Sequence, residues 1–233
     1  MAGRAFGPML THPASGRHTA TIIMLHGLGD TGHGWADAGP MFAGSHVKAL
    51  FPTAATRAIT VNMGSRMPGW FDIPALDASV FQTTMQGTPM DAAGLEESVA
   101  YVNKIVDAEI AAGIPPSRIV LGGFSQGGNV ALKVATTRMP PLAGAFGLST
   151  WLEPGAKPSP PLDDLAIFLG HGDADFVVPV FAGSATREAL EAAGFKNVSM
   201  TVYPGMQHSS CQAEMNDVRA FLHRVLPPTL PSK

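Results

Sequence analysis

Six short apolar runs recur along the chain: TATIIML at 19–25, VKALFP at 47–52, RIVLGGF at 118–124, LAGAFGLS at 142–149, LAIFLGHG at 165–172 and VSMTVYPG at 198–205. Six to eight residues is too short for a core helix, and most of these runs close on glycine, proline or serine, as strands buried on both faces do. Between several of them the period becomes helical. Leu95, Val99, Val102 and Val106 fall at i, i+4, i+7 and i+11, one face of a helix that Gly113 and Pro115 bring to an end. Met215, Val218, Leu222 and Val225 form a second stripe, stopped by Pro227 and Pro228. Strands alternating with helices predict βαβ units, hence a mostly parallel sheet flanked by helices.

The stretch 72–91 follows neither period. It mixes Pro74, Gly87 and Pro89 with Leu76, Val80, Phe81 and Met85, which predicts a long functional loop. No internal repeat or linker interrupts the 233 residues, so one domain spanning 1–233 is expected, with 227–233 as a frayed tail.

Composition narrows the partners. The formal charge is -3 and the basic residues are scattered, so nothing marks a nucleic-acid footprint or a polybasic strip for an anionic membrane. Small-molecule or acyl substrates fit better. The single cysteine, Cys211, excludes an intramolecular disulfide framework and a cysteine metal site, and is compatible with a reducing compartment. The opening MAGRAFGPML has one arginine and no extended apolar segment, so neither a secretory signal nor a lipid anchor is expected, and a cytoplasmic location is.

The chemistry is concentrated in a few loops. GGFSQGG at 122–128 places GxSxG directly after the strand RIVLGGF and before NVALKVATTR, which has helix-forming composition. This is the context of a nucleophile elbow. The turn is so tight that only glycine fits on either side of the serine, and the helix N-terminus points at its hydroxyl. A serine hydroxyl needs a histidine base, and the histidine a carboxylate to fix its tautomer. With that elbow the chain order is serine, acid, histidine. His171 ends a strand too early, and His223 lies in the terminal helix. His208, in YPGMQHSS between the last strand and last helix, is in the position for the base. The acid comes from HGDADFVVP, which offers Asp173 and Asp175; spacing does not choose between them.

An acyl-transfer site also needs two oxyanion donors: the N–H after the nucleophile, here Gln126, and one from a loop after an early strand. HGLGDTG at 26–32 supplies that loop, and Gly27 and Gly29 let the Leu28 N–H turn inward. The loop lacks a P-loop lysine and GxGxxG spacing, so no nucleotide cofactor is expected. His26 and His33 share the segment without a ligand motif, so no metal is expected either.

The motifs LHGLGDTGHGW, SRMPGWFDI, RIVLGGFSQGG, LSTW, HGDADFVVP and GMQHSSC together resemble, in order and over nearly the whole chain, the acyl-protein thioesterases, cytosolic lysophospholipase-like carboxylesterases. The resemblance implies an α/β-hydrolase fold without a large separate cap domain. It implies Ser125 as nucleophile, His208 as base and Asp175, the second aspartate of HGDxDxxVP, as acid, with Leu28 and Gln126 as oxyanion donors. It further implies acylated proteins, lysophospholipids or small esters as substrates, transient contact with membrane surfaces, and a monomer or weak homodimer. Members tethered to membranes carry an acylated cysteine near the N-terminus, which this sequence lacks. Residues 72–91 correspond to the border of the acyl groove, so Leu76, Val80, Phe81 and Met85 either form a lid or lip or pack back on their own domain. Trp70 and Trp151 either line the acyl channel or belong to the core.

Overall fold

The computed structural model describes residues 4–42, 44–152 and 165–229. In chain order the elements are β1 (Met9–His12), β2 (Ala20–Leu25), α1 (His33–Ala36), α2 (Gly39–Phe42), β3 (Val47–Pro52), β4 (Thr56–Ile59), β5 (Ser65–Pro68), α3 (Ala78–Met85), α4 (Ala92–Ala111), β6 (Ile119–Phe124), α5 (Gln126–Thr137), β7 (Gly144–Leu148), β8 (Ala166–Gly172), α6 (Val180–Ala192), β9 (Val198–Tyr203) and α7 (Gln212–Val225). Among the described residues seven strands form one sheet in the order β1-β3-β2-β6-β7-β8-β9. Only β1 runs antiparallel to its neighbour, with Met9 opposite Pro52 and His12 opposite Ala49; β2, β3 and β6 to β9 are mutually parallel.

The two-residue period of each strand divides the core. Ile23, Leu25, Leu121, Ile167 and Leu169 face Val102 and Val106 of α4, Val130 and Val134 of α5, and Leu190 of α6. Ile22, Met24, Val120, Phe146 and Phe168 face Phe42 of α2 and Val218, Phe221 and Leu222 of α7. Neither face of the inner strands meets water, which is why their sequences read as unbroken apolar runs rather than alternations. Each fully buried side chain of this size contributes about 1.5–3 kcal/mol relative to exposure. Parallel strands joined by helices send every functional loop to the carboxyl ends of the strands.

The stretch 72–91 differs from its expected loop: it contains α3. Asp77 caps this helix, its side chain accepting hydrogen bonds from Ser79 N (2.9 Å) and Val80 N (3.1 Å). Eight residues with two buried positions, Phe81 and Thr84, carry too little periodicity to stand out. The legible signal was the cap itself, with Leu76 and Phe81 at the two positions where a hydrophobic staple places apolar residues. Of the expected tail, 230–233 lie outside the described residues.

Candidate active site

β6 ends at Phe124 and α5 begins at Gln126, so Ser125 alone makes the turn from strand to helix. Its backbone adopts φ 52°, ψ −123°, a conformation that side chains of L residues disfavour, at a cost on the order of 1–3 kcal/mol. The spacing of the two flanking glycines follows from crowding. A Cβ on Gly123 would lie 2.3 Å from the carbonyl carbon of Gly127, and one on Gly127 would lie 2.4 Å from the carbonyl oxygen of His26. Any larger residue would drive α5 away from β6 and β2.

The loops after β8 and β9 bring two further groups to this turn. His208 Nε2 lies 3.0 Å from Ser125 Oγ, and His208 Nδ1 lies 2.8 Å from Asp175 Oδ2. The Asp175 side chain is completely buried and that of His208 is partly exposed. The second Asp175 oxygen, Oδ1, accepts from Val177 N and Val178 N, both at 2.9 Å. Burial pushes the Asp175 carboxyl up, but the hydrogen bond from His208, its charge and these two amides outweigh burial and hold the pKa below the usual carboxylate range. At neutral pH an ionised Asp175 therefore faces Nδ1, which places the proton there and leaves Nε2 free to accept from Ser125. Asp173 turns elsewhere: its Oδ1 accepts from Gly205 N at 2.6 Å, tying the β8 loop to the β9 loop. His171 is buried 3.6 Å from Asp175 Oδ2, with Nε2 donating to Val178 O at 2.8 Å. Burial lowers its pKa, so it supports the acid loop as a neutral ring.

Gln126 and Leu28 border the same turn. Gln126 opens α5, where an N–H has no intrahelical acceptor. Leu28 lines a cavity of about 220 Å³ together with Gly27, Asp30, Ile73, Leu76, Phe124, Ser125, Val177 and His208. This is below the ~300–1,000 Å³ of sites that enclose drug-sized ligands. A larger depression of about 380 Å³ lies at the opposite ends of the strands, beside Ser117, Asn197 and Arg224. No nucleophile and base meet there.

Of the side chains expected either at a lip or acyl channel or in the core, Leu76 lines the cavity, whereas Phe81, Trp151 and Trp70 take the core alternative. Phe81 is fully buried, packed edge-on to Trp151 at 5.1 Å between ring centroids. Trp151 is equally buried and also meets Phe71 edge-on at 6.1 Å. Trp70 donates its indole N–H to His26 O at 2.8 Å, inside the core. An aromatic ring inside α3 or behind the 69–73 segment gains more from burial against other rings than from the cleft edge.

The Trp70 bond belongs to a framework that the motifs did not reveal. The Gln126 side chain is buried and bridges the 69–73 segment, Oε1 accepting from Trp70 N (2.8 Å) and Nε2 donating to Phe71 O (2.6 Å). Ser98 donates to Trp70 O, Arg57 Nε to Gly69 O at 2.7 Å, and Asp72 N to Asp91 Oδ2 at 2.9 Å. His26, also buried, donates from Nδ1 to Gly27 O (2.6 Å) and accepts from Ala54 N at Nε2 (3.0 Å). Burial lowers its pKa; a neutral ring satisfies both contacts and fixes the start of the Leu28 loop. The only sequence hint was a histidine at the end of an apolar strand, which also reads as a surface ring.

Comparison with known proteins agrees with this architecture. The family model described as Phospholipase/Carboxylesterase matches residues 9–226. A protein of Neurospora crassa named acyl-protein thioesterase 1 is 44% identical over 97% of this chain and 95% of its own length; one of the same name from Gibberella zeae is 41% identical over 94% and 96%. The crystal structure of Zea mays acyl-protein thioesterase 2 superposes with TM-score 0.81 at 30% identity, covering 94% of this chain and 99% of that one. The sheet order, the flanking helices and these matches together identify an α/β-hydrolase, and the chain belongs to the phospholipase/carboxylesterase family.

Proposed function

We propose that this protein is a serine hydrolase that removes fatty-acyl groups from cysteine thioesters on proteins, its whole chain acting as one catalytic domain. The observation that carries the reading is the continuous line of contacts from Ser125 Oγ through His208 to the buried Asp175, 3.0 and 2.8 Å long. Ser125 Oγ attacks the acyl carbonyl as His208 Nε2 takes its proton. The tetrahedral oxyanion is held by the Leu28 and Gln126 amides, a role in which one donor is worth about 3–4 kcal/mol. On collapse the C–S bond breaks, His208 returns its proton to the departing thiol, and the acyl group remains on Ser125. Water, deprotonated by His208, then releases the fatty acid and restores the serine. Asp175 orients the imidazole and stabilises its protonated form without itself becoming protonated.

The preference for protein thioesters is supported by the relatives named acyl-protein thioesterase at 41–44% identity. The apolar lining of the cavity, Leu28, Ile73, Leu76, Phe124 and Val177, suits the first methylenes of an acyl chain, each buried CH₂ contributing about 0.8 kcal/mol. Hydrolysis of thioesters of increasing acyl length by the wild type and Ser125→Ala, in parallel, tests the reading. Ser125-dependent turnover with kcat/KM rising towards long chains is expected. Turnover confined to short oxygen esters would leave the three residues in their roles and withdraw depalmitoylation in favour of a general carboxylesterase.

A further inference from the structure

Glu214 has no place in the chemistry above. It is the third residue of α7, fully buried, and among the described residues neither carboxyl oxygen has a hydrogen-bond partner. Its carboxyl lies over β8: a Cβ added to Gly170 would fall 2.4 Å from Oε1. The residue is thus wedged between the two elements that deliver the acid and the base. β8 (Ala166–Gly172) leads past Gly170 into the loop of Asp175, and the His208 loop enters α7 at Gln212.

The groups facing it are few. On β9 stands the Tyr203 phenol, which donates to Asp217 Oδ2 at 2.7 Å; burial and Asp217 push it up, so it remains neutral. On α7 itself there is Asp217, one turn on. β8 contributes Gly170, since its His171 points to the other side, against Gly183 of α6. α2, GPMF, has nothing titratable. Among the described residues no cation is paired with Glu214. An ionised carboxylate in this position would be desolvated beside a second carboxylate, and the N-terminal turn of α7 offsets only part of that cost. Burial and the charge of Asp217 accordingly raise the Glu214 pKa to about 8.

We propose that Glu214 is a positioning residue for His208: carrying its proton it seats the first turn of α7 on β8, and losing the proton unseats that turn together with the His208 loop. The proposal rests on the reading of Ser125, His208 and Asp175 as the catalytic set. It makes the alkaline limb of activity a property of a residue that never touches substrate.

The test is the rate of Ser125 labelling by a fluorophosphonate, with kcat and KM for a short chromogenic ester, from pH 6.5 to 9.5 in wild type and Glu214→Gln. A carboxyl titrating near 8 is about tenfold depleted of its protonated form at pH 9. The wild type is therefore expected to lose about tenfold in labelling rate and kcat by pH 9 at unchanged KM, while the variant keeps its pH 7 values within twofold. Parallel profiles in the two proteins overturn the proposal. So does a ¹³C titration of the wild-type Glu214 carboxyl that falls in the ordinary carboxylate range, a measurement that decides the matter even if the variant fails to fold. Absence of Ser125-dependent labelling at every pH removes the catalytic reading and this proposal with it; Ser125-dependent labelling with parallel profiles removes this proposal alone.

Discussion

Gln126→Leu isolates what the side chain after Ser125 contributes. The replacement is similar in size and apolar, and it leaves the backbone N–H at the start of α5 in place. What disappears is the pair of bonds to Trp70 N (2.8 Å) and Phe71 O (2.6 Å). Both partners lie in buried chain, and an orphaned buried polar group costs about 1–3 kcal/mol. Two of them amount to about 3 kcal/mol once partial relaxation is allowed for. For a protein of this length that corresponds to a melting temperature lower by about 6–12 °C. Urea denaturation and a thermal scan measure the loss. Labelling of Ser125 should persist more slowly, because the 69–73 segment that bears Ile73 is no longer held to the elbow. Gln126→Glu should be no better: it keeps an acceptor for Trp70 but sets a carboxylate against the Phe71 carbonyl. A loss under 1 kcal/mol with unchanged labelling would refute the argument that this side chain couples the two walls of the cavity.

The two aspartates of HGDADFVVP separate by mutation. Asp175→Asn should lower kcat by about 10⁴-fold, the scale set by loss of the correct imidazole tautomer, whereas Asp173→Asn, which touches only Gly205 N, should cost less than tenfold; steady-state kinetics with a short ester rank them, and the reverse order would exchange their roles. The depressed pKa of Asp175 has a signed consequence for stability. Its contribution is complete above the unfolded carboxylate value of about 3.9 and disappears as the pH falls through the lower folded value. The stability gap between wild type and Asp175→Asn in urea should therefore be constant from pH 7 to 5 and narrow towards pH 3; a gap that widens on acidification would contradict the sign. Leu76→Trp should fill the cavity mouth and lower kcat/KM for long-chain thioesters at least tenfold while sparing acetyl esters, and equal losses on both would place the acyl chain elsewhere.

Where a segment is long or sits beside rigid punctuation, its structure was legible in the sequence. The six apolar runs coincide with β2, β3 and β6 to β9, and the stripe from Leu95 to Val106 lies on α4. These elements are buried on whole faces, so hydrophobicity alone marks them. β1, β4 and β5 are four residues each and half exposed; pairing with a neighbour makes them strands, and pairing leaves no local pattern. α3 escaped for the same reason of length. At the site, Ser125, Asp175 and His208 were named from loop order and motif, and the structure brings them into contact. For the aromatic residues the core is the alternative that the structure realises. Trp70, Phe81 and Trp151 suit an acyl channel by composition, but whether a ring faces a cleft or a core is decided by the neighbouring layer, which one chain segment does not encode. The clamps on residues 69–72 were invisible because Gln126, Ser98, Arg57 and Asp91 lie up to 69 positions apart and meet only after folding.

The left-handed turn at Ser125 also bears on how such a protein evolves and how it can be handled. Glycine adopts φ 52° without steric penalty, so Ser125→Gly relieves that strain while deleting the hydroxyl that faces His208. Selection for thermal robustness alone would thus favour the dead protein at this position, and a library screened only for folding would be enriched in it. For the same reason, a heat-resistant variant isolated without an activity screen should be sequenced first at residue 125.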